Sequence, residues 1–268
     1  MVDQVADSKE KANLTRPTTP PSAHGGQTAP MVYGAATPNS AKARQFVAFS
    51  FYKLMPDFRR LPREQQTTLL DGLVNLIKNH NQQEMLLLTY SCVGTRPDVD
   101  LMFWKISFQL ESLQDFSAKI NRLPLAGYLT TPFNYLAQSK RSTYVDKIDP
   151  GHDDARTVLV PGKRKYIFVY PFVKTREWYL LSKPARQGVM DEHIQVGNKY
   201  PSVKLNTTYS FGIDDQEFVV AFETDAPGDF LDLVQELRET EGSRYTLRDT
   251  PIFTCVQMPI EEIVRQLA

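Results

Sequence analysis

DVDLMFWKISFQLESLQDFSAKINRL, residues 98–123, and DDQEFVVAFETDAPGDFLDLVQELRE, residues 214–239, follow one plan. Each opens on an acidic turn, passes through an apolar strand, reaches an Asp-Phe dipeptide (Asp115-Phe116 and Asp229-Phe230) and continues as an amphipathic helix. Working outward from the first copy, QFVAFSFYKL predicts a strand, REQQTTLLDGLVNLIKNH a helix and EMLLLTYSCVG a second strand. Around the second copy, KYIFVYPFV, PARQGVMDEHIQVG and LNTTYSFG give strand, helix and strand, and PIFTCVQM closes the chain as a further strand. A β-α-β-β-α-β unit is ferredoxin-like, and two fused copies can join their sheets around a shared interior. The predicted fold class is therefore α+β: two fused ferredoxin-like repeats forming a dimeric α+β barrel.

The boundaries follow from composition. Residues 1–43 are rich in Pro, Thr, Ser, Gly and Ala and have no apolar periodicity, which predicts a disordered tail. Residues 44–138 form the first repeat, expected to hold no cofactor. The polar stretch 139–165, punctuated by Pro150, Gly151, Pro161 and Gly162, is read as a linker, and 166–268 as the second repeat.

Hydrophobic residues make up 41% of the 268, enough for a real core. Lys plus Arg equals Asp plus Glu at 31 each, so no global field draws in nucleic acid, and no apolar run reaches the length of a bilayer span. Cys92 and Cys255, in apolar strand-like surroundings behind an N-terminus that does not read as a secretory signal, are expected to be reduced thiols of a cytoplasmic protein. His24, His80, His152 and His193 make no zinc-type spacing, so a metal is expected only inside a cofactor.

The chemistry is expected in the second repeat. Val189, His193 and Val196 share one helical stripe, which turns the imidazole inward either as a buried neutral histidine bonded to a carbonyl or as a metal ligand. In KRKYIFVYPFVKTREWYLL, Tyr166, Phe168 and Tyr170 alternate to one face of the strand, with Lys174 beyond them. An apolar, aromatic cavity with a histidine on one wall and cations at its rim suits a flat apolar ring carrying carboxylates, such as a tetrapyrrole.

The ordered trio YPFVKTREWYLL, MDEHIQVGNKYPSV and SFGIDDQEFVVAFET resembles the chlorite dismutase superfamily, and within it the coproheme decarboxylase branch. The resemblance runs from about Arg44 to the C-terminus and is strongest from Arg156 onward. It implies a homopentamer of α+β barrels that takes iron-coproporphyrin III, the precursor of haem b, in the C-terminal half. The implied reaction is oxidative decarboxylation of coproheme propionates to the vinyl groups of haem b with hydrogen peroxide, in haem biosynthesis, with a coproporphyrin ferrochelatase as partner. By motif position, His193 becomes the axial iron ligand and Tyr170 the redox residue beside a propionate. Arg156, Lys174 and Ser243 become propionate contacts, and Glu241 falls near the place of a carboxylate behind the histidine.

One departure bears on the activity. Chlorite dismutases carry a distal arginine in the strand after the proximal helix, where VKLN puts Leu205, which supplies no charge or hydrogen bond to an oxyanion. Chlorite chemistry is therefore disfavoured. His152, in GHDDAR, is the candidate distal base, with an exposed loop histidine as its plain alternative. The rival function is a non-catalytic haem-binding or haem-delivery protein, or a haem peroxidase-like one, since one fold hosts several functions.

Overall fold

A computed structural model describes residues 43–144 and 158–268. Most of the predicted tail and the middle of the predicted linker, with Arg156 and His152, lie outside the described residues.

The first repeat runs β1 (Phe46–Leu54), α1 (Arg63–Lys78), β2 (Leu86–Ser91), β3 (Leu101–Ser107), α2 (Leu110–Asn121) and β4 (Leu129–Gln138). The second runs β5 (Tyr166–Lys174), α3 (Arg176–Leu180), α4 (Lys183–Asn198), β6 (Lys204–Tyr209), β7 (Phe218–Thr224), α5 (Pro227–Glu239), β8 (Thr246–Arg248) and β9 (Phe253–Gln257), and α6 (Ile260–Leu267) ends the chain. The strands hydrogen-bond in the order β7-β6-β4-β1-β3-β2-β9-β5, and β5 also pairs with β7, so the sheet closes on itself. β8 hangs on β5 outside the ring. Closure removes the free edges of an open sheet.

Strand alternation divides the core. From β1 and β3, Val47, Phe49, Phe51, Met102, Trp104 and Ile106 point into the barrel and meet Ile167 and Val169 of β5 and Val219 and Ala221 of β7 there. The barrel interior is thus shared by both repeats. On the outer face of β1 and β3, Ala48, Tyr52, Leu101 and Phe103 pack beneath α1, α2 and α6. On the outer face of β5 and β7, Phe168, Tyr170 and Phe222 pack against Val196 of α4 and Phe230 and Leu233 of α5.

The repeats are joined by thin seams: Gln138↔Tyr209 between β4 and β6, and Tyr90↔Gln257 with Ser91↔Val256 between β2 and β9. Continuing the second register places Cys92 opposite Cys255, with their Sγ atoms 3.3 Å apart and both thiols free. Both cysteines are buried.

The duplication holds at the level of bounds. β1 and β5, and likewise α1 and α4, begin and end 120 residues apart, and each pair has matched length. That offset sets Leu73 against His193, Ser50 against Tyr170 and Leu54 against Lys174. The first repeat, sealed by Leu73 and by α6, has a filled core at the place where the second has a cavity.

Sequence patterning did not give β4, α3, β8 or α6. β4 is largely exposed and contains Pro132, so it lacks the alternation of a half-buried strand. Residues 139–144, assigned to the linker, begin pinned to the barrel: Gln45 N–H donates to Ser139 Oγ and Ser139 N–H to the Gln45 carbonyl, both at 2.9 Å.

Candidate functional site

Between the outer face of β5, β6 and β7 and the helices α4 and α5 lies a cavity of about 920 Å³, counting its open mouth. Its wall is mainly aromatic and aliphatic, with Tyr170, Phe172, Trp178, Phe218 and Phe222 among the lining side chains. The elements that place these groups form for local reasons. β5 is a run of β-branched and aromatic residues, and α4 starts at Ser182, whose hydroxyl accepts from Ala185 N–H at 3.3 Å, with a proline in the first turn.

Val189 and Val196 of α4 are buried, and His193 lies between them, half-buried because its ring faces the cavity. Among the described residues nothing hydrogen-bonds that ring. Desolvation, reinforced by the nearby charge of Lys174 and opposed by Glu192, lowers its pKa to about 4. The imidazole is therefore neutral at ordinary pH, the form that ligates a metal. The sequence's other reading of this residue, a buried histidine bonded to a carbonyl, is not what the structure gives.

Lys174 ends β5 at the cavity rim. Its ammonium donates to the Gly242 carbonyl at 3.0 Å and stands over the Trp178 ring at 4.8 Å and the Phe172 ring at 5.1 Å. Burial pulls its pKa down to about 8, against an upward pull from Glu217. Tyr170 is 8% exposed and stacks on Phe222 at 6.0 Å. Its hydroxyl has no hydrogen-bond partner among the described residues, and burial, with Asp249 adding, raises the phenol well above its ordinary range. Tyr170 is a neutral phenol opening on an apolar cavity.

The cavity also gathers Ser243 and Leu205. The Ser243 hydroxyl bonds the carbonyls of Arg238 (2.8 Å) and Thr240 (2.9 Å). Leu205, opposite Phe222 in the β6–β7 register, is 47% exposed, unusually open for a leucine. So Tyr170, Lys174, His193, Leu205 and Ser243, spread over four elements, line one cavity, while Arg156 and His152 fall outside the described residues. Glu241 is exposed and makes no bond to His193. Gly242 comes close to the ring, where a Cβ would lie 3.8 Å from His193 Nδ1.

Sequence reasoning missed Arg238 and Asp249, which pair with each other and line the cavity beside Tyr170. In the sequence Arg238 looks like a solvated helix end and Asp249 like a turn residue. The packing of α5 over the sheet brings Arg238 to the site, and the folding of β8 onto β5 brings Asp249. Among the described residues, Lys174 and Arg238 are the cations of the cavity wall and Asp249 its carboxylate.

A closed barrel of two ferredoxin-like repeats, with a neutral histidine, a lysine and a tyrosine facing an apolar cavity in the second repeat only, defines a class of small-ligand pocket. The chain belongs to the chlorite dismutase family, whose model matches residues 65–258. It is similar to the coproheme decarboxylase of Mycolicibacterium smegmatis, 28% identical over 207 residues that cover 76% of this chain and 87% of the relative. The coproheme decarboxylase of Staphylococcus carnosus is 29% identical over 201 residues, covering 70% and 79%. Among solved structures, the chlorite dismutase from Candidatus Nitrospira defluvii in complex with imidazole superposes with a TM-score of 0.75 at 27% identity, covering 85% of this chain and 96% of that one.

Proposed function

We propose that this protein decarboxylates the propionates of coproheme, oxidising them to the vinyl groups of haem b at the expense of hydrogen peroxide. The observation that carries the reading is the placement of Tyr170: a neutral, unbonded phenol on the same apolar wall as Lys174 and across the cavity from His193. Two relatives that bear the name coproheme decarboxylase support the choice of substrate.

The residues present fit such a substrate. A tetrapyrrole needs a flat apolar slot, a neutral nitrogen donor for its iron and cations for its carboxylates, and the cavity offers aromatic walls, His193, and Lys174 with Arg238. When bound, the iron with peroxide supplies a strong oxidant. His193 would hold the ring plane, while Lys174 and Ser243 would fix its register through propionates, as would Arg156. Leu205 would give the slot an uncharged wall, with His152 the candidate distal base. Phe172, Phe218 and Phe222 would keep water from the reacting carbons.

Because burial keeps the Tyr170 phenol protonated, it can yield a proton and an electron only together, and the oxygen radical so formed can take a hydrogen atom from the propionate carbon next to the macrocycle. Loss of one further electron lets the carboxylate leave as carbon dioxide, with its bonding pair forming the vinyl double bond. For each propionate, one peroxide and one proton are consumed and two waters are released. We further propose a cytoplasmic, homopentameric enzyme supplied by a coproporphyrin ferrochelatase, with a cofactor-free first repeat and a coproheme-binding second one.

Tyr170→Phe tests the reading. It removes one hydroxyl and keeps the ring, so coproheme should bind and His193 ligation should persist at a cost of roughly 1 kcal/mol or less in stability. With peroxide, mass spectrometry should show intact or destroyed coproheme and no three-propionate intermediate. Formation of haem b at near wild-type rate would remove Tyr170 from the mechanism. Wild-type protein that binds coproheme and leaves its mass unchanged under peroxide would point to a carrier.

A further inference from the structure

The β5–β7 ladder stops at Phe172↔Phe218, two residues before Lys174, and the pairing of β5 with β8 changes register between Val173 and Lys174. β8 still sets Lys174 opposite Thr246, but on the β7 side its N–H lies beyond the last strand pair. The gap is filled by a side chain. Oε2 of Glu217 accepts from Lys174 N–H at 2.7 Å and from the Tyr179 hydroxyl at 2.5 Å, tying the end of β5 to α3. Glu217 is not part of the cavity wall and would not touch a bound ligand. The carboxylate works on Lys174 in a second way as well. The lysine is largely desolvated against Trp178 and Phe172, and Glu217 is the group whose charge favours its ammonium.

We propose that Glu217 is a positioning residue for carboxylate recognition: beyond the end of the β5–β7 ladder it fixes the backbone of Lys174 to α3 through Tyr179, and it sets a negative charge behind the ammonium at the apolar wall. The inference rests on the reading of Lys174 as a propionate contact. Among the described residues, the other charged or titratable groups facing this corner are His193 from α4, Arg176 and Tyr179 from α3, Tyr170 from β5, Arg238 from α5, Tyr144 and Tyr245 against Trp178, and Asp249 after β8. None of them substitutes for Glu217, since His193 is neutral and Asp249 is paired with Arg238.

The test starts with the free protein. Lysine labelled with carbon-13 at Cε reports the titration of Lys174 by NMR, the resonance being assigned by its loss in Lys174→Met. Glu217→Gln keeps an oxygen acceptor and removes the charge, so the Lys174 midpoint should fall by about one pH unit, the low end for loss of a nearby opposite charge. Tyr179→Phe removes a hydrogen bond and no charge, so it should leave the midpoint in place. The second reading is the affinity for metal-free coproporphyrin, a tetracarboxylate that cannot react, followed by fluorescence across pH 6–10. Its alkaline fall should move down by the same amount in Glu217→Gln, giving several-fold weaker binding at pH 8. Should that variant not fold, Glu217→Asp, which keeps the charge at a shorter reach, should keep the midpoint within a few tenths of a unit and still weaken porphyrin binding. An unmoved midpoint in Glu217→Gln, or in Glu217→Asp a midpoint that drops or unweakened porphyrin binding, would overturn the proposal. So would a moved midpoint without a matching shift in porphyrin affinity. None of these readings uses decarboxylation, whose products are followed separately by mass, so failure here and failure of the proposed reaction are distinguishable.

Discussion

His193 illustrates how much a single side chain depends on its surroundings. Its position on a buried stripe was legible from Val189 and Val196 alone, but its neutrality comes first from burial in the folded chain and then from the charge of Lys174, nineteen residues away on another element. The consequence for pH has a definite sign. The unfolded chain takes a proton on this ring near 6.5, and the folded one only near 4, so the stabilising contribution is present above 6.5 and is lost as pH falls from 6.5 to 4. Denaturant titrations from pH 7 to 4 should therefore show wild type losing stability more steeply than His193→Ala, with equal slopes counting against a buried neutral imidazole. With iron porphyrin bound, the same variant should lose the iron–histidine stretch in resonance Raman. Leu205 makes a separate prediction. A leucine offers a chlorite oxyanion neither charge nor hydrogen bond, so the haem-loaded protein should release little oxygen from chlorite and bleach, and sustained turnover at an oxygen electrode would contradict this.

Among the elements, those with strong periodicity were readable and those defined by distant partners were not. β5 and α4 carry their own patterns of aromatic alternation and apolar stripe. β4 owes its existence to β1, against which it lies along nearly its whole length, and the contact of Glu217 with Lys174 joins two segments with no local reason to meet. Lys105 on β3 is a further feature that sequence alone did not flag. It is 2% exposed beneath α2, donates to Ser117 Oγ at 3.0 Å, and burial lowers its pKa to about 8. Ser117 keeps its bond to the Leu113 carbonyl if the amine is removed. The burial penalty, about 2.5 pKa units at about 1.4 kcal/mol each, exceeds the roughly 1.5 kcal/mol of the lost charge-assisted bond to Ser117, so Lys105→Met should raise stability at pH 7 by about 2 kcal/mol. Between pH 8 and 10.5 the folded amine is neutral while the unfolded one is charged, so wild-type stability rises with pH and the advantage of the variant should shrink. Chemical denaturation at pH 7 and pH 10 checks both statements, and a loss of stability at pH 7 would show the amine to be better satisfied than its single bond suggests.

At the scale of the whole molecule, the repeats are two copies in plan and one body in physics. Their seams contribute few hydrogen bonds, yet the interior that both line is continuous, with Phe51 stacked on Phe253 at 4.0 Å. Splitting the barrel would expose that interior on both sides, so the repeats should unfold together. The chain's two tryptophans make this measurable, since Trp104 sits in the barrel interior and Trp178 at the cavity. In Trp104→Phe and in Trp178→Phe, the fluorescence midpoint in urea should coincide with the far-ultraviolet circular dichroism midpoint of the same variant. Separate midpoints would mean that the repeats are independent. The closed interior also bears on durability. Both cysteines of the chain lie inside it, facing each other, and burial pushes the Cys255 thiol well above its ordinary range. Peroxide attacks thiolates that it can reach, and both sulfurs are buried out of its reach. For the proposed peroxide-dependent reaction this means that the chain would offer its oxidant no exposed thiol among the described residues.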